Sequence, residues 1–562
     1  AASLNAKTFE QLFPTVSQIG FRKIEGLENQ MTTHSHGSQK DFFQRLEHVQ
    51  RLEHVDVGQC GDIRTLFPAK WRQALKNLRS VEIVCCNSLE EVFELDEGIN
   101  EEKELRLLSS LTRLRLSNLP ELKCIWKGPT RHVSLHSLAH LELSSLDKLT
   151  FIFTPSLAQS LIHLETLQID SSPGLKRLIR EKDDEIIPES LGFPKLKTLL
   201  ISLCEKLEHV FPVSVSPSLQ NLEEMVIEFA DNLKQVFYSG EGDDIIVKSK
   251  IKDGIIDFPQ LRKLSLLSSC SFFGPKDLAA QLPSLQYLGI SGHKEGGNLF
   301  AQLQGSTSLE TLELSSLLVP DLSCIWKGLL PSNLTTLKVN ECQRLTYVFT
   351  DSMIASLVQL EVIEISACEE LEQIIAKDND DEKDQILSGS DLQSSCFPNL
   401  YQLEIIGCNK LKSLFPVAMA SGLKSLRRLE VRESSQLLGV FGQDDHASPA
   451  NTEKELVLPD LEWLFLEKLP SIVYFSHGCY DFIFPHLEWL EVHRCPKLTT
   501  KFATTSNGSM SAQSEVSQVA EDVSTGCSVP TRTCRTWTSC NGWGEEKLEE
   551  EEKEEEDSGH ND

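Results

Sequence analysis

A repeated pattern of leucines constrains the fold of this 562-residue chain more than any other feature of its sequence. The segments FPKLKTLLISLCEKLEHVFP, from Phe193, and FPNLYQLEIIGCNKLKSLFP, from Phe397, share the template L-x-x-L-x-L-x-x-C-x-x-L-x-x-V-F. The template occurs sixteen times, and its commonest spacing is 26 residues, as from Leu52 to Leu78. Its first leucine stands at Leu52, Leu78, Leu111, Leu138, Leu164, Leu196, Leu222, Leu261, Leu285, Leu309, Leu334, Leu360, Leu400, Leu426, Leu461 and Leu487. Repetition at this period predicts one stacked array rather than several separate domains.

The x-L-x-L part of the template alternates apolar and polar residues, which is the pattern of a short β-strand. One such strand cannot bury its leucines alone, but strands stacked about 4.8 Å apart form a sheet that covers them. The template is also the leucine-rich-repeat signature. We therefore expect an α/β solenoid over residues 46–500, a leucine-rich-repeat horseshoe of about sixteen irregular repeats with a continuous parallel sheet on its concave face.

The two ends of the chain lack the template. Residues 1–45 are expected to form a partial N-terminal repeat or cap, truncated from a longer chain. Residues 501–562 are rich in serine and threonine and then acidic, and they show no apolar periodicity. Such a segment cannot repay the entropy of ordering, so residues 501–562 are expected to be a disordered tail.

Charge and cysteine content bear on the class of partner and the compartment. The formal net charge is -29, which disfavours nucleic acid and favours a basic protein surface as the partner. The sequence has no apolar run of 18 residues, so no membrane span is expected. Sixteen cysteines are too few for a disulfide-stapled secreted domain of this length, which indicates a reducing, cytoplasmic location.

Most apolar and cysteine positions of the template are explained by packing. A small buried side chain suits the turn after the strand, so the cysteines at the ninth position are expected to be packed thiols rather than disulfides. These are Cys60, Cys86, Cys204, Cys342, Cys368, Cys408 and Cys495. The phenylalanines of the V-F position are expected to stack in a column, and they are Phe93, Phe153, Phe211, Phe237, Phe349, Phe415 and Phe441. In the two copies of CIWKG, Trp126 and Trp326 take this phenylalanine position, so both are interpreted as core residues rather than chemical sites.

The sequence contains no pattern that carries catalysis. The phosphate-loop, dinucleotide-binding, nucleophile-elbow and H-E-x-x-H motifs are all missing, and no histidines or cysteines have the spacing of a zinc site. We therefore expect no enzymatic activity, cofactor, metal or small-molecule substrate.

Residues that alternate with the leucines face outward from the strand, and at the fifth template position they are mostly acidic. The acids there are Asp56, Glu82, Glu142, Glu313, Glu364, Glu404, Glu430 and Glu491, against the bases Arg115 and Lys338. Five long intervals between repeats carry charged insertions. They are interpreted either as solvated loops or as an acidic fringe that meets a basic partner.

The last two repeats, LEWLFLEKL and LEWLEVHRC, depart from this polar pattern. Their outward positions hold Trp463, Phe465 and Trp489, and exposed aromatic clusters are enriched in protein interfaces. The candidate partner-binding surface comprises these rings with a polar rim from Arg428, Glu430, Glu491 and His493. An alternative is that the tail, or the residues around NGWG, folds over the rings as a terminal cap.

Taken together, the cysteine-bearing template, the FP or LP lead-in before the strand and the acidic insertions resemble the C-terminal repeats of plant coiled-coil nucleotide-binding disease resistance proteins. The lead-in stands at Phe193, Phe258, Phe397, Leu458 and Phe484, and the likeness covers residues 46–500. The resemblance implies a repeat region that recognises a pathogen effector or a guarded host protein and restrains a nucleotide-binding module. That module and the coiled coil are not in this sequence.

Two other classes of protein carry similar repeats. A cytosolic adaptor or scaffold, such as a ubiquitin-ligase substrate receptor of the F-box type, needs an N-terminal helical domain for which residues 1–45 are too short. A secreted receptor ectodomain has 24-residue repeats with G-x-I-P and many glycosylation sequons, and this chain has only the sequons at Asn333 and Asn507. The adaptor is retained as the alternative function.

Overall fold

A parallel sheet of 17 strands runs through the described part of the computed structural model. The structure describes residues 18–22 and, within 52–513, all but 61–62, 70–73, 96–105, 131, 181–190, 240–253, 269, 275–276, 293–301, 323–331, 355, 378–395, 444–454 and 479. In chain order, the strands of this sheet, called here the concave sheet, are Gln18–Arg22, His54–Gly58, Ser80–Val84, Arg113–Ser117, His140–Ser144, Thr166–Asp170, Thr198–Ser202, Glu224–Glu228, Lys263–Leu267, Tyr287–Ser291, Thr311–Ser315, Thr336–Asn340, Val362–Ser366, Gln402–Ile406, Arg428–Arg432, Trp463–Glu467 and Trp489–His493. Each of the sixteen templates supplies one strand, which confirms the solenoid.

The strand Gln18–Arg22 lies upstream of the first template and pairs in parallel with His54–Gly58. The array therefore begins one strand earlier than the leucine pattern indicates. Of residues 1–45, the structure describes only this strand.

The strands are aligned without slippage, so residues at the same template position form columns across the sheet. Positions four and six point into the core, as with Leu403 and Ile405 or Leu429 and Val431, and these side chains are buried. Positions three, five and seven point to the opposite face. A side chain's position in the template thus decides whether it packs in the core or faces outward from the concave sheet.

The eighth template position has a left-handed backbone in most repeats, with φ near 50°. The non-glycine residues held in this way are Gln59, Cys85, Asn118, Ser145, Ser171, Leu203, Phe229, Ser316, Glu341, Ala367, Glu433, Lys468 and Arg494. This conformation turns the chain out of the strand while its amide still donates to the neighbouring strand, as Phe229 N does to Leu267 O at 3.1 Å. The retained hydrogen bond offsets part of the cost of a conformation that side chains other than glycine, asparagine and aspartate adopt rarely.

Shorter strands and single helical turns form the outer side of each repeat. The outer strands are Thr65–Phe67, Glu91–Glu94, Cys124–Lys127, His209–Pro212, Gln235–Tyr238, Ile255–Asp257, Ser271–Phe273, Ala279–Gln281, Leu303–Gln304, Phe349–Thr350, Ile375–Ala376, Phe415–Pro416, Gly439–Gly442, Glu455–Val457, Tyr474–Ser476, Asp481–Phe484, Lys501–Thr504 and Met510–Gln513. The helices are Pro155–Ala158 and Asp351–Ile354, with 3-10 turns at Ala74–Lys76, Val213–Ser218 and Val417–Gly422. No helix among the described residues is long and apolar enough to cross a membrane.

The phenylalanine positions pair in register on this outer side, as predicted. Phe211 lies beside Phe237, with ring centroids 6.5 Å apart, and Phe415 pairs with Phe441. Trp126 stacks on Phe93 at 5.0 Å and donates its indole N–H to the Ile152 carbonyl at 2.9 Å. The interpretation of Trp126 as a core residue is therefore confirmed, whereas Trp326 lies outside the described residues.

The ninth-position cysteines pack as thiols at the end of each strand. Cys60, Cys204 and Cys408 are buried, and each Sγ lies near the carbonyl oxygen two residues earlier, at 3.5, 3.3 and 3.7 Å. None of the cysteines that the structure describes forms a disulfide. Cysteine therefore serves here as a small core residue that also donates weakly to the strand end.

The C-terminal boundary differs from the one expected. Lys501–Thr504 and Met510–Gln513 form an antiparallel hairpin, and the second strand also pairs antiparallel with Asp481–Phe484. The expectation of disorder from residue 501 is therefore wrong for residues 501–513. Ala512 is buried, and Phe502 packs against the core, so apolar contacts and hydrogen bonds repay the ordering. Residues 514–562 of the expected tail, and most of each charged insertion, lie outside the described residues.

Candidate protein-binding surface on the concave sheet

The seven residues singled out from the sequence lie together on the last three strands of the concave sheet. In register, Arg428 is followed by Trp463 and Trp489, Glu430 by Phe465 and Glu491, and Arg432 by Glu467 and His493. Because all nine occupy outward template positions, the sheet presents them on one face.

Glu430 is a carboxylate buried between two arginines of its own strand. Its Oε2 accepts from Arg428 at 2.7 Å and its Oε1 pairs with Arg432 at 2.6 Å. Only 2% of its side chain is exposed. The expectation that Glu430 forms part of a polar rim is therefore wrong, because the two guanidinium groups cover it and compensate its charge. Breaking such a buried pair leaves an uncompensated charge, which makes this cluster rigid and costly to disturb.

Phe465 lies between this charged cluster and the tryptophans. The Cζ atoms of Arg428 and Arg432 each lie 5.8 Å from its ring centroid, within the range of a cation–π contact. Its neighbours on the other side are Trp463 at 6.4 Å and Trp489 at 6.5 Å. The ring thus links the arginines to the aromatic pair and is itself only half-buried.

Trp463 and Trp489 stack on each other across adjacent strands, with ring centroids 5.7 Å apart and planes inclined by 20°. They remain 37% and 36% exposed. Two large apolar rings thus form a flat, pre-ordered surface in contact with water. We call Trp463, Phe465 and Trp489 the aromatic cluster.

The polar surroundings of the aromatic cluster include residues that the sequence did not single out. Glu467 lies 3.8 Å from Arg432 Nε and 3.9 Å from His493 Nδ1. Arg428, Glu491 and His493 keep solvent-accessible side chains and lie next to the rings in the register of the sheet. The missed residues, Arg432 and Glu467, stand at the seventh template position. Reading that outward position together with the third and fifth would have found them.

The acidic column predicted at the fifth position is partly compensated by its two bases. Arg115 lies between Glu82 and Glu142, at 3.3 and 3.6 Å, and Lys338 pairs with Glu364 at 2.7 Å. Farther along, Glu364, Glu404 and Glu430 follow one another on adjacent strands.

Glu404 has an unusual titration in this row. Burial, and then the neighbouring carboxylates Glu430 and Glu364, raise the pKa of Glu404 above its ordinary value, although Arg428 and Arg432 oppose the shift. Electrostatic repulsion between these carboxylates therefore acts directly beside the candidate surface.

Among the described residues, the strand that carries Trp489 is the last of the concave sheet. On its inward side, Val492 is 40% exposed and Leu490 is half-buried, whereas the equivalent residues of the preceding strand, Leu464 and Leu466, are buried. The hairpin of residues 501–513 pairs with the outer strand Asp481–Phe484 and not with this strand. Within the described residues, the hairpin therefore closes the outer side of the terminal repeat and leaves the concave edge open.

The described residues contain no group of three or more histidines, cysteines or acids placed to hold a metal ion. The surface offers flat aromatic area, two arginines and several carboxylates. This combination suits recognition of another surface.

Comparisons with known proteins agree with the leucine pattern. A family model described as plant disease resistance protein RPS2-like, leucine-rich repeats, matches residues 22–173, 176–269, 280–369 and 370–514. A probable disease resistance protein of Arabidopsis thaliana is 31% identical over 102 residues, which is 18% of this chain and 11% of that protein. The chain thus matches only a small part of that relative's length.

Similar solved structures are distant. The functional domain of InlJ from Listeria monocytogenes is 12% identical, covers 90% of this chain and 86% of its own, and has a TM-score of 0.39. A chain of the Drosophila Toll–Spatzle complex is 14% identical, covers 78% of this chain and 63% of its own, and has a TM-score of 0.30. The family model, by contrast, matches most of the sequence. The chain therefore belongs to the family of RPS2-like leucine-rich repeats of plant disease resistance proteins.

Proposed function

We propose that this chain is the protein-recognition region of an intracellular plant immune receptor, and that its aromatic cluster forms the centre of the partner-binding surface. The partner is a pathogen effector, a guarded host protein or the receptor's own nucleotide-binding module. Membership of the disease resistance family supports the class of function. The choice of surface rests on the exposed aromatic side chains and the neighbouring charges of the concave sheet.

The observation that carries the choice of surface is the exposure of Trp463 and Trp489. Most earlier repeats place polar or small residues at the same third template position, such as Thr311 and Thr336. Leaving two tryptophans over a third exposed costs free energy that neither the core nor the strand pairing requires. Tryptophan is also among the residues most enriched in interface hot spots.

The surrounding charges support the same assignment. The buried carboxylate of Glu430 fixes Arg428 and Arg432, so these two arginines lose little side-chain entropy when a partner binds. Fixed cations beside flat rings match the composition of interface centres, where tryptophan and arginine are enriched.

The test compares partner binding and folding in the variants Trp463→Ser and Trp489→Ser. The partner is first recovered from plant cell extract with the wild-type chain, and its affinity is then measured by calorimetry. We expect each substitution to weaken binding by about 2 kcal/mol or more while the melting temperature stays near that of the wild type. Val473→Ser is the matched control, because Val473 is also 36% exposed but lies on the outer side.

Two outcomes would contradict the proposal. A fall in melting temperature with unchanged affinity would make the tryptophans part of a terminal cap. Equal losses of affinity in the tryptophan variants and in Val473→Ser would show that the effect is not specific to the concave surface.

A further inference from the structure

A second apolar surface lies near the middle of the concave sheet, and six strands separate it from the strand that carries Trp463. Three adjacent strands, Thr198–Ser202, Glu224–Glu228 and Lys263–Leu267, carry apolar side chains at outward or turn positions. We call these side chains the central patch, and they are Leu200, Leu203, Val226, Phe229 and Leu267.

Leu203 and Phe229 are the most anomalous members of the central patch. They are 48% and 56% exposed, although both are large and apolar. Both also stand at the left-handed eighth position, with φ of 51° and 53°, where serine stands in three other repeats, at Ser145, Ser171 and Ser316. Neither solubility nor backbone conformation favours leucine or phenylalanine at this position. Contacts among the described residues therefore do not explain why Leu203 and Phe229 are large, apolar and exposed. Such exposure is typical of an interaction surface.

The five apolar side chains do not form a uniform patch, because carboxylates lie among and beside them. Glu228, the last residue of its strand, stands between Val226 and the turn residue Phe229, and Asp170 lies two strands away in the same column, beside Ser202. At position seven, Asp170, Ser202 and Glu228 are followed on the next strand by Leu267. Apolar pairs at positions five and eight flank this row.

The two carboxylates are held by hydroxyl groups. Asp170 accepts from Ser202 at 2.5 Å and from Ser171 at 3.0 Å, while Glu228 accepts from Ser265 at 3.0 Å. In the part of the chain that the structure describes, neither carboxylate takes part in an ion pair. The positive charge of Lys263, on the strand that carries Leu267, is already engaged by Glu224 at 2.9 Å. The carboxylates therefore keep a negative charge that a cation on a partner would compensate.

Tyr287 borders the patch on the following strand. Ser265 and Gly289 follow Val226 in the fifth-position column, and a Cβ built on Gly289 would lie 3.1 Å from Ser265 Oγ and from the Tyr287 ring. The Tyr287 side chain thus lies across Gly289, and its hydroxyl donates to Glu313 at 2.6 Å. Tyr287 therefore bounds the apolar side chains of the patch on this side.

We infer that the central patch binds a basic and apolar segment of a protein partner, in which a lysine or arginine neighbours an apolar side chain. The methylene groups of such a cation pack against Val226 and Phe229 while its charged end reaches Glu228. Apolar neighbours of the cation fill the sites beside Leu200, Leu203 and Leu267. This inference goes beyond the proposed function, since it assigns a second surface and the chemistry of its ligand.

The test uses a yeast-displayed library of random 12-residue peptides, selected on the purified wild-type chain. Selected peptides are then titrated by fluorescence anisotropy against Leu203→Ser/Phe229→Ser and against Glu228→Gln. Serine is the residue of other repeats at the eighth position, so these variants are expected to fold. Matched controls are Ile162→Ser, which removes an apolar side chain 46% exposed and outside the patch, and Glu310→Gln at the second template position.

We expect selected peptides to combine lysine or arginine with apolar residues. Their affinity should fall about tenfold or more in both patch variants and change little in the two controls and in Trp463→Ser. Enrichment of acidic or uncharged peptides, binding that survives both patch variants, or a selection that yields no peptide sensitive to them would overturn the inference. Peptides that lose affinity only with Trp463→Ser would support the aromatic cluster as a binding surface and overturn the role of the central patch.

Discussion

The residues of this chain that can contact a partner are the outward ones. The inward positions must be apolar, because they pack between stacked repeats. Leu429 and Val431 are buried like their equivalents in the preceding repeats, whereas Glu430 between them is held by two arginines. The same alternation places Glu404 beside Glu430 and Glu364 on neighbouring strands. Residue-scale tests therefore need substitutions at outward positions, where the fold itself is least disturbed.

The acidic row predicts a pH-dependent gain in stability for Glu404→Gln. Burial and the two neighbouring carboxylates raise the folded-state pKa of Glu404, so the folded chain binds this proton more tightly than the unfolded chain does. The stabilisation from protonation is complete below the unfolded value near 4.5 and is lost as the pH rises through the raised folded value. Glu404→Gln should thus increase the free energy of unfolding at pH 7 by a fraction of ~1 kcal/mol, because solvent screens the repulsion at this partly exposed carboxylate.

Denaturant unfolding at pH 7 and at pH 4.5 checks this expectation. The advantage of Glu404→Gln should shrink at the lower pH, because the raised pKa makes wild-type Glu404 bind more protons in the folded chain as the pH falls. Glu369→Gln serves as the control, since Glu369 belongs to the same repeat as Glu364 and is exposed. An equal gain at both pH values would show that charge repulsion is not the cause.

Among the secondary-structure elements, the repeats follow the leucine pattern, and only the return strand of the terminal hairpin lies beyond it. The strand of each template, the phenylalanine pairs and the packed cysteines were predictable because each depends on neighbours that repeat with the same period. The hairpin of residues 501–513 was predictable only in part. Phe502 stands at the phenylalanine position of the last template and contacts Phe475 of the preceding repeat, whereas the antiparallel return strand Met510–Gln513 lies beyond the template. The upstream strand Gln18–Arg22 escaped detection because its sequence, QIGFR, lacks the leucine spacing.

The hairpin is expected to stabilise the last repeat. Ala512 is 2% exposed and faces Phe482 in the register, while Ala503 on the other hairpin strand is exposed. Ala512→Asp should bury a carboxylate and lower the melting temperature by about 2 °C or more, whereas Ala503→Asp should leave it nearly unchanged. Truncation after Thr500 should lower the melting temperature as Ala512→Asp does, and truncation after Gln513 should not. Equal melting temperatures for the two truncated chains would mean that the hairpin adds no stability.

The candidate surface was predictable only in part. The aromatic residues stood out because tryptophan and phenylalanine replaced polar residues at outward positions. The burial of Glu430 did not stand out, since it depends on side-chain conformations of Arg428 and Arg432 that the repeat pattern leaves open. The left-handed conformation at Leu203 and Phe229 was equally hidden, because the template alone does not determine the backbone of the turn.

At the scale of the whole molecule, one continuous sheet joins the central patch to the aromatic cluster. A partner that contacts both must span the six strands between Lys263–Leu267 and Trp463–Glu467. At about 4.8 Å per strand interval, the distance along the sheet is on the order of 30 Å, which one folded domain can cover. The account therefore predicts one extended recognition surface on the concave side rather than independent sites on the outer side.

Hydroxyl-radical footprinting of the full chain, with and without the recovered partner, tests this central claim most directly. In the free chain, Trp463 and Trp489 should oxidise much faster than Trp126, which is only 5% exposed. Saturating partner should slow the oxidation of Trp463 and Trp489 and leave Tyr401, which is 40% exposed at the second template position, unchanged. The account is contradicted if both tryptophans are as slow as Trp126 in the free chain, or if saturating partner leaves their oxidation unchanged.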